Sequence, residues 1–183
     1  MIKSAKEIQG WCDFYDLYEA VAKWLPENSV IVEVGTWLGA SICYLGEQLK
    51  ILNKKATIHG IDTFKGDETC QFHLDTVAAH GGSIKSQFIQ NVSDLGLTIN
   101  PIEALTLDAA KLFEDNSIDF CFIDAAHDYE SVKKDIMAYW PKVKNGGILA
   151  GHDYEKGVLQ AVHELFNQNK VTRVNMCWVI QKN

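Results

Sequence analysis

The sequence has little of what marks membrane, secreted or nucleic-acid-binding chains. No stretch approaches the ~18 consecutive apolar residues that span a bilayer, and the N-terminus shows neither an apolar h-region nor a cleavage-like site. No C-x-x-C pair occurs among the five cysteines, Cys12, Cys43, Cys70, Cys121 and Cys177. An odd number without paired spacing argues against a disulfide framework and for a reducing compartment, so the expected location is the cytoplasm. Cys43, Cys121 and Cys177 lie in apolar runs, where free cysteine behaves as a small hydrophobe. No run of five or more like charges is present, and 17 basic against 24 acidic residues leave a net charge of −7. Phosphate binding needs a basic patch, so neither nucleic acid nor a membrane surface is expected as a partner. The only prolines, Pro26, Pro101 and Pro141, punctuate periodic segments. Internal repeats and low-complexity tracts are absent.

What is there fits one domain over residues 1–183, with a helical N-terminal segment (1–27) ahead of a core (28–183). With 183 residues, 47% of them apolar, the chain can build a sizeable core. Residues 4–25 carry Ile8, Trp11, Tyr15, Tyr18 and Leu25 near one face at helical spacing, which predicts an amphipathic helix. Strand and helix patterns then alternate. Strands are expected at 30–34, 57–61, 101–106, 118–123 and 148–151, the last entered by a turn at Asn145-Gly146-Gly147. Helices are expected at 40–52, 83–95, 108–114, 129–140 and 155–168, with a loop containing a short helix at 63–82. Two closing strands, 171–174 and 177–180, lie too close for a crossover and must pair antiparallel. The expected fold class is α/β: a doubly wound, seven-stranded, mostly parallel sheet with one antiparallel strand near the C-terminus.

In such sheets ligands sit beyond the carboxyl ends of the strands. Polar residues stand at every one of those ends: Glu33 and Gly35, Asp62, Asp108, Asp124, and His152-Asp153. The first turn reads Glu33-Val34-Gly35-Thr36-Trp37-Leu38-Gly39-Ala40-Ser41. A dinucleotide fingerprint would need a further glycine where Trp37 stands, so close approach of a pyrophosphate is obstructed, which counts against a nicotinamide oxidoreductase. A Glu two residues before the glycine suits a cofactor with a cationic amino-acid end. An acid such as Asp62, closing the second strand, suits ribose hydroxyls. Together these describe S-adenosylmethionine (SAM).

The pattern E-x-G-x-x-x-G-x-S at 33–41 resembles the first motif of class I SAM-dependent methyltransferases. It is most similar to the branch of catechol-type and sugar O-methyltransferases, with their small cephalosporin-hydroxylase-like relatives. Phe120-Cys121-Phe122-Ile123-Asp124-Ala125-Ala126-His127-Asp128-Tyr129 resembles that branch's fourth-strand motif. Gly146-Gly147-Ile148-Leu149-Ala150-Gly151-His152-Asp153-Tyr154 resembles its fifth-strand motif. The resemblance spans residues 28–180. It implies that Glu33 holds the methionine amino group, mostly through water, and that Gly35, Thr36, Trp37, Gly39 and Ser41 line methionine and ribose. It further implies that Asp62, with Thr63 beside it, binds the ribose, that Asp108 and Ala109 meet the adenine edge, and that Asp124 lies beneath the sulfonium.

In metal-dependent members of the branch a divalent cation clamps the acceptor oxygens and lowers their pKa. Its ligands come from the ends of the fourth and fifth strands, here Asp124, His152 and Asp153. The branch pattern has Asp-Asn where this chain has His152-Asp153. An imidazole ligand moves preference from Mg²⁺ toward Mn²⁺, Fe²⁺ or Zn²⁺, and a site without metal is equally permitted. Sugar-acting relatives carry an acid as base two residues after the Asp124 position. Ala126 stands there in this chain, followed by His127, which is the candidate general base. Cys70, His73, Asp75 and His80 in the 63–82 loop match no structural zinc spacing, and a lid or acceptor-selecting role is expected of the loop. The competing reading of Asp124, His127, His152 and Asp153 is a metal-dependent hydrolase, which leaves Glu33, Gly39 and Asp62 unexplained. A third is a module that binds SAM without turnover. The acceptor is expected to be a small molecule, recognised by the first helix, the 63–82 loop or a second subunit, and a homo-oligomer is left open.

Overall fold

A computed structural model describes residues 1–183. Seven strands form one sheet: β1 (Ser29–Val34), β2 (Ala56–Asp62), β3 (Asn100–Glu103), β4 (Ile118–Ile123), β5 (Val143–Gly151), β6 (Thr172–Val174) and β7 (Cys177–Gln181). Their order is β3-β2-β1-β4-β5-β7-β6, with β7 antiparallel to both neighbours and every other pairing parallel. The doubly wound sheet with a late antiparallel strand is therefore the fold. The two-residue link between β6 and β7 leaves no length for a crossover.

Seven helices flank it: α1 (Tyr15–Trp24), α2 (Ala40–Ile51), α3 (Gln71–Ala79), α4 (Lys85–Asp94), α5 (Thr106–Ala110), α6 (Tyr129–Tyr139) and α7 (Lys156–Leu165). The period of two along the strands divides the core into two layers. Ile31, Phe120 and Phe122 face one layer with Tyr18, Ile42 and Phe88 of α1, α2 and α4. Val32, Val34, Cys121 and Ile123 face the other with Val132, Ile136 and Val162 of α6 and α7. No helix is long and apolar enough to cross a membrane.

Three expectations need correction. Residues 4–25 are not one helix: a 3-10 turn at Ala5–Glu7 is followed by bends and irregular chain over 8–14, and α1 begins only at Tyr15. Gly10, with φ of +155°, breaks the helical path where a Cβ would meet Trp37 and Ala40. The third strand stops at Glu103 rather than at 106, since its last partner is Asp62 at the end of β2, and α5 is correspondingly early. The fifth strand begins at Val143, absorbing the Asn145-Gly146-Gly147 turn through an irregularity in its pairing with β4.

Register sets up the site. Val34 pairs with Ile61 and Ile123, and Ile123 pairs with Gly151. The next residues along each strand, Asp62, Gly35, Asp124 and His152, therefore form a single row along the carboxyl edge. The strand order reverses between β1 and β4, which places the crevice at Gly35 and Asp124.

Candidate active site

Gly35 lets two strand ends meet. Its φ is +89°, and a Cβ there would lie 2.0 Å from the carbonyl oxygen of Asp124. The chain then turns through Thr36-Trp37-Leu38 to Gly39, whose φ of +92° opens α2. Eight non-glycine residues have positive φ, and four are asparagines, which tolerate it. Of the others, Trp37, Phe64 and Asp153 follow β1, β2 and β5 directly, so backbone strain gathers along the carboxyl edge. Asp62 holds two of them: its carboxylate accepts from the backbone N–H of Trp37 at 2.8 Å and of Phe64 at 2.7 Å. Burial pushes the Asp62 carboxyl up, against those two donors.

A cleft of about 770 Å³ opens between these ends. Gly35, Trp37, Asp62, Thr63, Asp124 and His127 all line it. Its volume lies in the range of cofactor sites, roughly 300–1,000 Å³. One wall is aromatic: Trp37 and His73 of α3 stack at 4.2 Å, and Trp11 meets His73 edge-on at 5.5 Å. The indole N–H of Trp37 and the hydroxyl of Thr36 are buried without a hydrogen-bond partner, as a loop awaiting a ligand would leave them. The donor set and volume thus fit a nucleoside carrying an amino-acid tail. Another cleft, of about 670 Å³, lies around Lys3, Lys6, Glu47 and Asp94, away from the strand ends. Backbone N–H groups of Ala5 and Ile2 occupy its acids.

Glu33 lies beneath the cleft rather than in it. It is 1% exposed, and its two oxygens accept from Tyr18 Oη and Ser41 Oγ, each at 2.5 Å. Burial pushes its carboxyl up to about 8; the two hydroxyls oppose this, and the charges of Asp124 and Asp62 add to it. Asp108 and Ala109 stand apart from the cleft. Asp108 is exposed on α5 and ion-paired with Lys111 at 2.7 Å, while Ala109 is buried in the core. Ala104 and Thr106 line that wall instead, with Thr106 Oγ1 donating to Asp135 at 2.5 Å.

At the other end of the cleft, His127 Nε2 lies 3.4 Å from Asp124 and 3.2 Å from Asp153. The contact with Asp124 raises the His127 pKa, burial opposes the rise, and the charge of Asp153 adds to it. Asp124, His152 and Asp153 each offer one ligand atom, all within 4.8 Å of one another. Burial resists charge on His152, but Asp153, Asp124 and Asp13 outweigh it and push its pKa up to about 9. One imidazole and two carboxylates form a donor set that suits a first-row divalent ion. Cys70, Asp75 and His80 join no such cluster. Asp13, which sequence reasoning did not single out, and Tyr18, which it named only for the apolar face of residues 4–25, reach the site from the N-terminal segment. Neither belongs to a motif that would have marked it.

Residues 32–154, two thirds of the chain, match the family described as methyltransferase domain. No curated protein matches the chain. Among solved structures it is similar to the O-methyltransferase NovP, at 15% identity and a TM-score of 0.69 over 92% of this chain and 79% of that one. It is similar to an rRNA methylase from Streptococcus thermophilus, at 14% identity and 0.62 over 100% and 98%. A third likeness is to a Streptococcus mutans protein in complex with SAH, at 14% identity and 0.59 over 98% and 97%. An O-methyltransferase and an rRNA methylase share this fold, so the fold leaves the acceptor undecided. Family membership decides between the two enzymatic readings of the His/Asp cluster: the chain belongs to the methyltransferase-domain family and is a SAM-dependent methyltransferase.

Proposed function

We propose that the protein methylates a hydroxyl of a small acceptor, a sugar or a phenol, with a divalent cation held by Asp124, His152 and Asp153 assisting. The observation that carries this reading is the cluster that His152 and Asp153 form with Asp124 and His127, the latter two lining the cleft whose other walls are Gly35, Trp37 and Asp62. Bound SAM supplies a methyl group on a cationic sulfur. Asp62 and Thr63 would hold its ribose, the loop from Gly35 to Ser41 would frame its amino-acid end, and Asp124 would stand toward the reacting centre. Trp37 and His73 keep water from that wall.

Displacement at a methyl group needs an acceptor oxygen placed in line and relieved of its proton. Asp124, His152 and Asp153 would hold a cation, which would lower the pKa of that hydroxyl. His127 takes the proton on its imidazole, and the carboxylates of Asp124 and Asp153, which face Nε2, stabilise the imidazolium that results. The acceptor enters beside α3, which borders the cleft through His73, and the N-terminal segment, whose Trp11 packs against His73. The net acidic chain disfavours a nucleic-acid acceptor.

Calorimetric titration with S-adenosylhomocysteine, first with chelator and then with Mg²⁺ or Mn²⁺, tests the reading. Saturable binding is expected, with a metal-dependent heat that Asp153→Ala abolishes. No binding under any condition would overturn the cofactor assignment. With a responsive acceptor, His127→Ala is expected to slow methylation by roughly 10²–10⁴-fold. An unchanged rate would remove His127 as base.

A further inference from the structure

We propose that Asp13 is the positioning residue of the cation site, holding His152 so that Nδ1 faces Asp124 and Asp153; the assignment rests on the metal-assisted reading above. Asp13 lies in the irregular chain before α1, 139 positions from His152 and outside the residues that match the family. Its Oδ1 stands 2.9 Å from His152 Nε2. A carboxylate only accepts, so a hydrogen bond there requires the proton on Nε2. In the neutral ring that binds a metal, Nδ1 then presents its lone pair on the opposite edge.

That edge faces the carboxylates. His152 Nδ1 is 3.8 Å from Asp124 Oδ1 and 3.5 Å from Asp153 Oδ2. These gaps are long for direct hydrogen bonds. They are close to the roughly 3.0–3.4 Å that separates two ligand atoms on one ion with bonds of about 2.1 Å. A histidine ligand commonly gives its other N–H to a carboxylate, which fixes the tautomer and the ring plane and raises the ligand's basicity. Asp13 occupies that place, and a more basic imidazole further favours Mn²⁺ or Zn²⁺ over Mg²⁺.

The segment is built to hold Asp13 still while its carboxylate stays largely in solvent. Phe14 is 1% exposed, with its ring 4.8 Å from Phe122 and 5.0 Å from the His152 ring. One helical turn on, Tyr18 is tied to Glu33. The Asp13 side chain itself is 65% exposed, so its replacement leaves no cavity.

Mn²⁺ titration of the purified protein, read by the electron paramagnetic resonance of free Mn²⁺, tests this without acceptor or turnover. Wild type is expected to bind one Mn²⁺ and Asp153→Ala none. Asp13→Ala is expected to weaken binding by roughly 10–100-fold and to lower the preference for Mn²⁺ over Mg²⁺, with the metal-free melting temperature unchanged. Asp13→Glu is expected to recover part of the affinity. In the Zn²⁺-loaded protein, ¹⁵N spectra of His152 are expected to show Nε2 protonated and Nδ1 metal-bound in wild type, and a mixture in Asp13→Ala. Binding by Asp13→Ala within twofold of wild type, with Asp153→Ala inactive in binding, would overturn the role of Asp13 and leave the metal reading standing. A loss in Asp13→Ala that accompanies a lower metal-free melting temperature and is not recovered by Asp13→Glu would also overturn it. No Mn²⁺ binding by wild type would overturn both.

Discussion

Replacing Glu33 by glutamine should make the protein more stable at alkaline pH, although it removes an acid from the cofactor motif. Glu33 is fully buried and its carboxyl is pushed from 4.5 up to about 8. The folded state therefore keeps a proton that the unfolded chain has already lost between those values. With more protons on the folded side, stability falls as pH rises through that window and is flat above it. At about 1.4 kcal/mol per pH unit the gap amounts to an upper bound of about 5 kcal/mol, a large part of the ~5–15 kcal/mol that holds a domain folded. Glutamine mimics the protonated acid: its oxygen accepts from one hydroxyl and its NH₂ donates to the other, between Tyr18 and Ser41. Urea unfolding of wild type and Glu33→Gln from pH 4.5 to pH 9 isolates this group, because all other titrations cancel in the difference. The two should match at the acid end. The mutant should gain steadily to pH 8 and keep a constant lead of several kcal/mol beyond. A difference that is flat across the range would refute the reasoning.

The same neutral acid has a consequence for binding. If the cofactor's ammonium meets Glu33, S-adenosylhomocysteine binding at pH 7 should release up to one proton in wild type and none in Glu33→Gln, read by calorimetry in buffers of different ionisation enthalpy; equal release would sink this. Gly35→Ala places a Cβ 2.0 Å from the Asp124 carbonyl oxygen at a φ of +89°, and should cost at least about 3 kcal/mol by denaturant midpoint. Asp62→Ala strips the acceptor from the N–H groups of Trp37 and Phe64. It should lower stability by about 1–3 kcal/mol and weaken S-adenosylhomocysteine binding; unchanged affinity would remove Asp62 from the ribose site. Since Asp124 and Asp153 raise the His127 pKa, the base form grows in as pH rises. In the metal-free protein the His127 ring, followed by NMR, should therefore titrate with a midpoint above the ordinary imidazole value of about 6.5, and a midpoint below it would contradict the assigned geometry.

Parallel strands all end at one edge of a sheet, so polar residues closing successive apolar runs are gathered there whatever the loops between them do. That is why Gly35, Asp62, Asp124, His127 and the His152-Asp153 pair were legible as neighbours from their places in the pattern. The β6–β7 pairing was legible for a similar reason, chain length alone forbidding a parallel return. Where the reading slipped, a tertiary contact had overridden a local pattern. Apolar spacing over residues 4–25 looked helical, but Gly10 fits against Trp37 and Ala40, and the chain must cross from α2 to the strand ends before α1 can begin. The end of β3 was fixed by its partner Asp62, and with it the choice of Ala104 and Thr106, rather than Asp108 and Ala109, for the cleft wall.

The sequence by itself thus determined the α/β alternation, the carboxyl-edge row and the family of chemistry, because periodicity and strand-end residues are local properties. Only the tertiary structure decided that Glu33 is a buried anchor for Tyr18, that Trp37 stacks on His73, and that Asp13 meets His152. Each depends on two segments distant in sequence arriving at one place, and no spacing along the chain records that meeting.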